Sequence, residues 1–143
     1  MRNIHPLKTI LKPYLSNWAI NMSLSHRFYN EQKILLTSWS GEVNDTELIR
    51  FYMGIYNSSH WSAGFNEIID LRDAQLEAIS NHALLQLSEL ATNCLKGAEL
   101  KLAIISPSEL SSQITRIYEA FTHIPNESTK VVHHLDEALD WLK

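Results

Sequence analysis

The sequence predicts one α/β domain built on a mixed β-sheet. Short apolar runs rich in Ile, Leu and Val alternate with stretches of helical periodicity. Most of the helix-like stretches open on a recognisable cap. The first two apolar runs are separated by a polar break of turn length, which makes them a hairpin, whereas the later runs are separated by helix-length crossovers, which makes them parallel.

The hairpin strands are His26-Arg27-Phe28-Tyr29 and Lys33 to Trp39, joined by Asn30-Glu31-Gln32, and Gly41 ends the second. A first helix starts at Asn44, with Glu47 at the spacing of a capping box, and Leu48, Phe51, Tyr52 and Ile55 give it a buried face. Gly64 precedes a strand from Phe65 to Leu71. Ser80 caps a second helix with Leu84, Leu87, Ala91 and Cys94 on one face and Gly97 as its stop. The strand Leu100–Ile105 follows. Ser106-Pro107-Ser108-Glu109 then has the pattern of a helix start, with a capping Ser, Pro at the first position and Glu at the third. That third helix turns Leu110, Ile114, Ile117 and Phe121 inward and stops near Pro125. Lys130 to His134 is the last strand, and Asp136 caps a terminal helix carrying Ala138, Trp141 and Leu142, so the order is ββαβαβαβα. Trp141 and Leu142 are expected to bury against the last strand or the third helix, with a cost of about 3–5 kcal/mol for Trp141→Ala.

The 143 residues suit one domain, with an apolar share of 45% and a charged share of 20%. A net charge of −4 with scattered Lys and Arg offers no basic stripe for phosphates, so nucleic acid is not an expected partner. No apolar run approaches the roughly 20 residues of a membrane span. The lone Cys94 cannot form an internal disulfide and suits a reducing compartment, so the expected localisation is cytoplasmic. The organisation divides near Met22 into an N-terminal helical extension, 1–21, and a domain, 22–143. In the extension Ile4, Leu7, Ile10, Leu11, Tyr14, Leu15 and Trp18 recur at helical spacing with Lys8 and Lys12 opposite, and Pro13 kinks or divides the pattern. Such a stripe packs on its own domain, on a second copy or on a membrane surface. Met22 is also a candidate start, which would leave 1–21 as an upstream extension.

Three stretches carry a family resemblance. They are Ile68-Ile69-Asp70-Leu71-Arg72-Asp73, Leu102-Ala103-Ile104-Ile105 leading into Ser106, and Val131-Val132-His133-His134-Leu135-Asp136-Glu137-Ala138-Leu139-Asp140-Trp141-Leu142. With the element order, they make residues 22–143 resemble the SpoIIAA-like (STAS/SEC14-type) group of small bacterial proteins. The resemblance implies a STAS-like fold; it carries over no activity, because fold does not fix function. In antagonist STAS domains an Asp-Ser-Ser-Gly-Leu signature opens the second helix and one Ser is phosphorylated by a partner kinase. Here the matching stretch is Ile79-Ser80-Asn81-His82-Ala83-Leu84: Ser80 stands for the Asp, Asn81 and His82 for the serines, and Ala83 for the Gly. The frame is kept without its phosphoacceptors, so no kinase-operated switch is expected.

The candidate ligand or partner site is Asp70, Arg72, Asp73, Ser80, His82, Trp39 and Trp61. Ser80 either caps its helix or accepts a phosphate at the helix N-terminus. Asp70, Arg72 and Asp73 end a central strand, at the edge where open α/β sheets bind ligands; the plainer reading is an ion pair and a turn cap. Trp39 and Trp61, with Tyr56 and Phe65, fill core, line an apolar pocket or anchor a partner. No metal site is expected, since His133 and His134 are adjacent on a strand and point to opposite faces, and the other histidines lack ligand spacing. No catalytic residue and no cofactor is expected: no nucleophile-elbow motif occurs, and Cys94 sits late on an apolar helix face. The function expected is therefore a non-enzymatic STAS-like protein-interaction or regulatory module, working with a protein partner or as a homodimer. The alternative is a carrier or sensor of a small hydrophobic, lipid-like ligand.

Overall fold

The computed structural model describes residues 23–107 and 111–143. The N-terminal stripe expected over 4–18 lies outside them, as does Leu110. Two strands open the described chain, β1 (Leu24–Tyr29) and β2 (Ile34–Glu42), and pair antiparallel with Leu24 opposite Trp39 and Tyr29 opposite Ile34. The turn between them closes through Lys33, whose φ of 56° is left-handed. The elements α1 (Asp45–Tyr56), β3 (Asn66–Gln75), α2 (Asn81–Leu95), β4 (Leu100–Ile105), α3 (Ser112–Thr122), β5 (Glu127–Val132) and α4 (Leu135–Trp141) follow. The sheet runs in order β1-β2-β3-β4-β5, with every pair from β2 onward parallel.

This topology decides where the helices lie. Each crossover steps to the next strand in the same direction, and such crossovers are right-handed almost without exception, so α1, α2 and α3 must all cover one face. Their buried residues, among them Leu48, Leu84, Leu87, Ile117 and Phe121, pack on Leu35, Trp39, Ile69, Leu71, Leu102 and Ile104. The opposite face carries Tyr29, Ile34, Leu36, Ile68, Ala103, Ile105 and Val132, in one cluster with Leu135, Ala138, Leu139 and Leu142 from the α4 region. The runs Ile68-Ile69 and Leu102–Ile105 are apolar without alternation because both faces of these strands are buried.

Local signals set most boundaries. Asn44 caps α1: its Oδ1 accepts from the Glu47 N–H at 2.9 Å, and its side-chain amide donates to Glu47 Oε1 at 2.7 Å. Ser80 caps α2, and Lys96 with Gly97, at φ of 54° and 75°, turns the chain out of it. Four expectations need correction. The third helix does not start at Ser106: that residue is fully buried and its N–H donates to Val132 O at 2.9 Å, so it prolongs the sheet, and Ser111 caps the helix through the Ile114 N–H. The last helix is capped at His134 without a side-chain bond, and Asp136 lies in its first turn. The last strand is Glu127–Val132, leaving His133 and His134 beyond it, exposed. Trp141 is only half-buried, with Lys101 Nζ of β4 5.6 Å above its ring, whereas Leu142 is buried as expected.

Candidate functional site

The N-termini of α1, α2 and α3 converge at the carboxyl edge of the sheet, where one polar network joins them. Ser80 Oγ accepts from the Ala83 N–H at 3.0 Å, the bond of an N-cap, and donates to Asp45 Oδ2 at 2.7 Å. The Ser80 backbone N–H donates to Asp45 Oδ1, also at 2.7 Å. The two bonds from Ser80 hold the Asp45 carboxyl below the usual range, since both favour its charged form. From α3, Arg116 donates through Nε to Asn81 Oδ1, through Nη2 to the Ile79 carbonyl and through Nη1 to Gln113. Asp45 at the start of α1 and Arg116 on α3 thus bracket the opening of α2. His82 stands exposed in its first turn.

Beside this network, α2 presents Leu85, 55% exposed, to the outside. Leu85 borders a groove of about 320 Å³ between α2 and α3, lined also by Asn81, Ser88, Arg116, Glu119 and His123. On the other flank a groove of about 250 Å³ runs between Ile49 and Arg50 of α1 and Gln86 of α2. The arrangement offers an apolar knob between shallow polar-rimmed grooves.

The remaining candidate residues lie elsewhere. Strand β3 outruns its expected end at Leu71. Asp70 pairs with Ile105, the last residue of β4, and beyond it β3 continues against β2 alone, with a register slip between Ser38 and Ser40. Arg72 grips Asp70 with two bonds, Nε to Oδ1 at 3.0 Å and Nη2 to Oδ2 at 2.7 Å, so the ion pair is formed. Leu71 packs in the three-helix core, so Asp70 and Arg72 point to the opposite face by the alternation of a strand, while Asp73 is exposed. Trp39 is 1% exposed and meets Tyr52 edge-on at 6.3 Å. Trp61 lies near the amino end of the sheet, edge-on to Tyr56 at 4.9 Å. The structure gathers Ser80 and His82 and leaves the other five apart from them. Among the described residues no group of three or more metal-ligating side chains occurs, and no described helix is long and apolar enough to cross a membrane.

A second polar cluster escaped the reading of the sequence. Glu67, on the three-helix side of β3, accepts through Oε2 from Tyr52 OH at 2.8 Å and from Thr37 Oγ1 at 3.0 Å. Burial raises its carboxyl to about 7, and the two hydroxyl bonds only partly oppose the shift. Glu127, at the start of β5, is raised to about 8, first by burial and then by the charge of Glu67, and its Oε1 is buried without a partner. Burial and these carboxylates also push the Tyr52 and Tyr56 hydroxyls upward. Parity was the available signal: Ile69 and Leu71 face inward, so Glu67, two residues before Ile69, does too.

No family model matches the sequence, and no curated protein matches it. A solved structure does. An uncharacterised protein of the DUF3478 family from Shewanella loihica PV-4, described as having a SpoIIAA-like fold, superposes with a TM-score of 0.56 over 85% of this chain and 94% of its own, at 21% identity. The fold is SpoIIAA-like. The hairpin followed by three parallel strands, and the element order that suggested STAS architecture, agree with that finding. At this identity the likeness extends to the fold alone, and a SpoIIAA-like fold is compatible with many tasks.

Proposed function

We propose that the chain is a non-enzymatic STAS-like protein-interaction or regulatory module whose working surface is α2 with its two flanking grooves. The observation that carries this reading is the placement of Leu85. A large apolar side chain stands 55% exposed on a helix whose N-terminus is held rigid by Asp45 and Arg116, beside a groove with a polar rim. An apolar anchor on a preorganised element, ringed by polar groups, is the usual anatomy of a binding hot spot.

The same geometry favours a module without a phosphate switch at Ser80. The anion-binding end of α2 already faces a carboxylate, Asp45, at 2.7 Å from both the Ser80 hydroxyl and its N–H. A phosphate there would set a further −1.5 to −2 charges, roughly, against Asp45 and would sacrifice the cap. Trp39 and Tyr52 are packed into core and the described α2 grooves are shallow, which favours the interaction reading over the lipid carrier. Native mass spectrometry of the chain purified from its own host tests the proposal. A defined complex with another protein or a second copy, lost in Leu85→Glu while the fold is retained, supports it. A monomer carrying a stoichiometric apolar small molecule would replace it with the carrier reading.

A further inference from the structure

Strand β5 ends the sheet on one side, and no described strand pairs with its outer edge. Its ladder with β4 fixes which residues face outward. The Leu100 N–H donates to the Asn126 carbonyl at 3.2 Å, and the Ser106 N–H to the Val132 carbonyl at 2.9 Å. Bonded residues alternate along a parallel pair, so Ser128 and Lys130 also turn their backbone groups to β4, and Thr129 and Val131 turn theirs to the open edge. The side chains alternate between faces. Thr129 and Val131 stand on the three-helix side, where Val131 packs against the core, and Ser128 and Lys130 stand exposed on the side that carries α4. A groove of about 450 Å³ runs between β5 and α3, lined by Thr115, Tyr118, Glu119, Thr129, Lys130 and Val131. Thr129 Oγ1 is buried without a partner.

We propose that the outer edge of β5 takes an extended peptide of another protein as an added antiparallel strand, one that sets an acidic residue opposite Lys130. The N–H and C=O groups of Thr129 and Val131 point outward at alternate positions, as the doubly bonded pairs of an antiparallel ladder require. Lys130 then falls in the intervening pair without hydrogen bonds, where side chains across the strands come closest. Charge selects the occupant. Among the described residues Lys130 forms no ion pair, whereas Glu119 stands at the groove on the other side. An acid therefore suits the Lys130 face, and uncharged residues suit the groove. An apolar side chain opposite Val131 lies beside Tyr118, and a Thr opposite Thr129 brings a hydroxyl to its unpartnered Oγ1. From the N-terminus of the peptide the core order is apolar, acidic, Thr. A second copy of this chain fits the edge badly. Two β5 strands paired antiparallel about Thr129 or Val131 set their Lys130 side chains diagonally across the seam. Paired about Lys130, they set them directly opposite, and like charges so placed repel.

NMR titration of the full chain with a short blocked peptide centred on Val-Glu-Thr, with Ser flanks, tests the proposal. Saturable shifts of the Thr129, Lys130 and Val131 amides are expected, with slowed hydrogen exchange at the Thr129 and Val131 N–H, while Leu85 and Gln86 on α2 stay put. The same peptide with Lys in place of its Glu should bind about fivefold more weakly. Lys130→Glu, which changes an exposed side chain, should reverse that preference. Absence of shifts on β5, equal binding of the two peptides, or an unchanged preference in Lys130→Glu overturns the proposal. So do concentration-dependent shifts of the same amides without peptide, which would assign the edge to a second copy.

Discussion

Replacing Glu67 by Gln should make the protein more stable at alkaline pH, and the size of the gain follows from the burial of that carboxyl. Gln keeps an acceptor for Tyr52 OH and Thr37 Oγ1, so the packing and the two hydrogen bonds of 2.8 and 3.0 Å have a substitute partner. What it removes is ionisation. The ordinary value near 4.5 describes the unfolded chain, and the folded value is about 7. Between those values the native state holds a proton that the unfolded state has lost, so folding stability falls as pH rises through the window and levels off above it. At about 1.36 kcal/mol per pH unit, the 2.5 units separating 4.5 from 7 amount to about 3 kcal/mol. Glu127 has the same sign and carries the fall on toward about 8; because the charge of Glu67 is one cause of the Glu127 shift, the two contributions do not add. His26, held below 6.5 by burial, works in the opposite sense just below that pH, and Asp45, held below 3.8, acts only in more acidic solution. Comparing Glu67→Gln with the parent at each pH cancels both. Urea unfolding from pH 4.5 to 8.5 should show the variant equal to or slightly weaker than the parent at the acid end and stronger by about 3 kcal/mol at the alkaline end. A gap that does not change with pH would refute the assignment of a buried, proton-holding Glu67.

Four further outcomes follow from named contacts. Asp45→Ala should cost about 1–2 kcal/mol, because it removes two bonds to Ser80, and urea unfolding checks it; Ser80→Ala should cost about 1 kcal/mol as the loss of a cap, with no regulatory phenotype. Phosphoproteomics in the native host should find Ser80 unmodified, and substantial occupancy there would restore the switch. Trp141→Ala should cost about 1–2 kcal/mol instead of the 3–5 of a fully buried Trp, since the ring is half-buried beneath Lys101; a loss above 4 kcal/mol or below 0.5 in chemical denaturation would contradict that placement.

Local chemistry made much of the fold legible. The hairpin, the caps at Asn44 and Ser80, and the stop at Gly97 each depend on a few adjacent residues, and the alternation of strand and helix then fixes a mixed sheet by handedness alone. Where a local signal competed with a distant partner, the distant partner won. Ser106-Pro107-Ser108-Glu109 has the pattern of a helix start, but the Ser106 N–H is claimed by Val132 O, 26 positions away in the sequence. The network at the α2 terminus was hidden for the same reason, since Asp45 meets Ser80, and Arg116 meets Asn81, across 35 residues. The Glu67 cluster was readable from strand parity, yet a Glu beside Ile68-Ile69 looks like a solvated strand end unless that parity is followed. Trp39 illustrates the limit of composition: the same aromatic residues suit a pocket or a core, and only packing distinguishes them.

We propose that the protein works through the exposed face of α2. A photo-crosslinking residue placed at position 85 in the full chain, expressed in its own host, tests it most directly, with position 140, on exposed Asp140 of α4, as the control. One discrete protein adduct is expected from position 85, none from position 140, and loss of the adduct when Arg116, which fixes the neighbouring groove, is changed to Glu in a chain that still folds. Adducts of equal yield from both positions, or none from position 85, would contradict it.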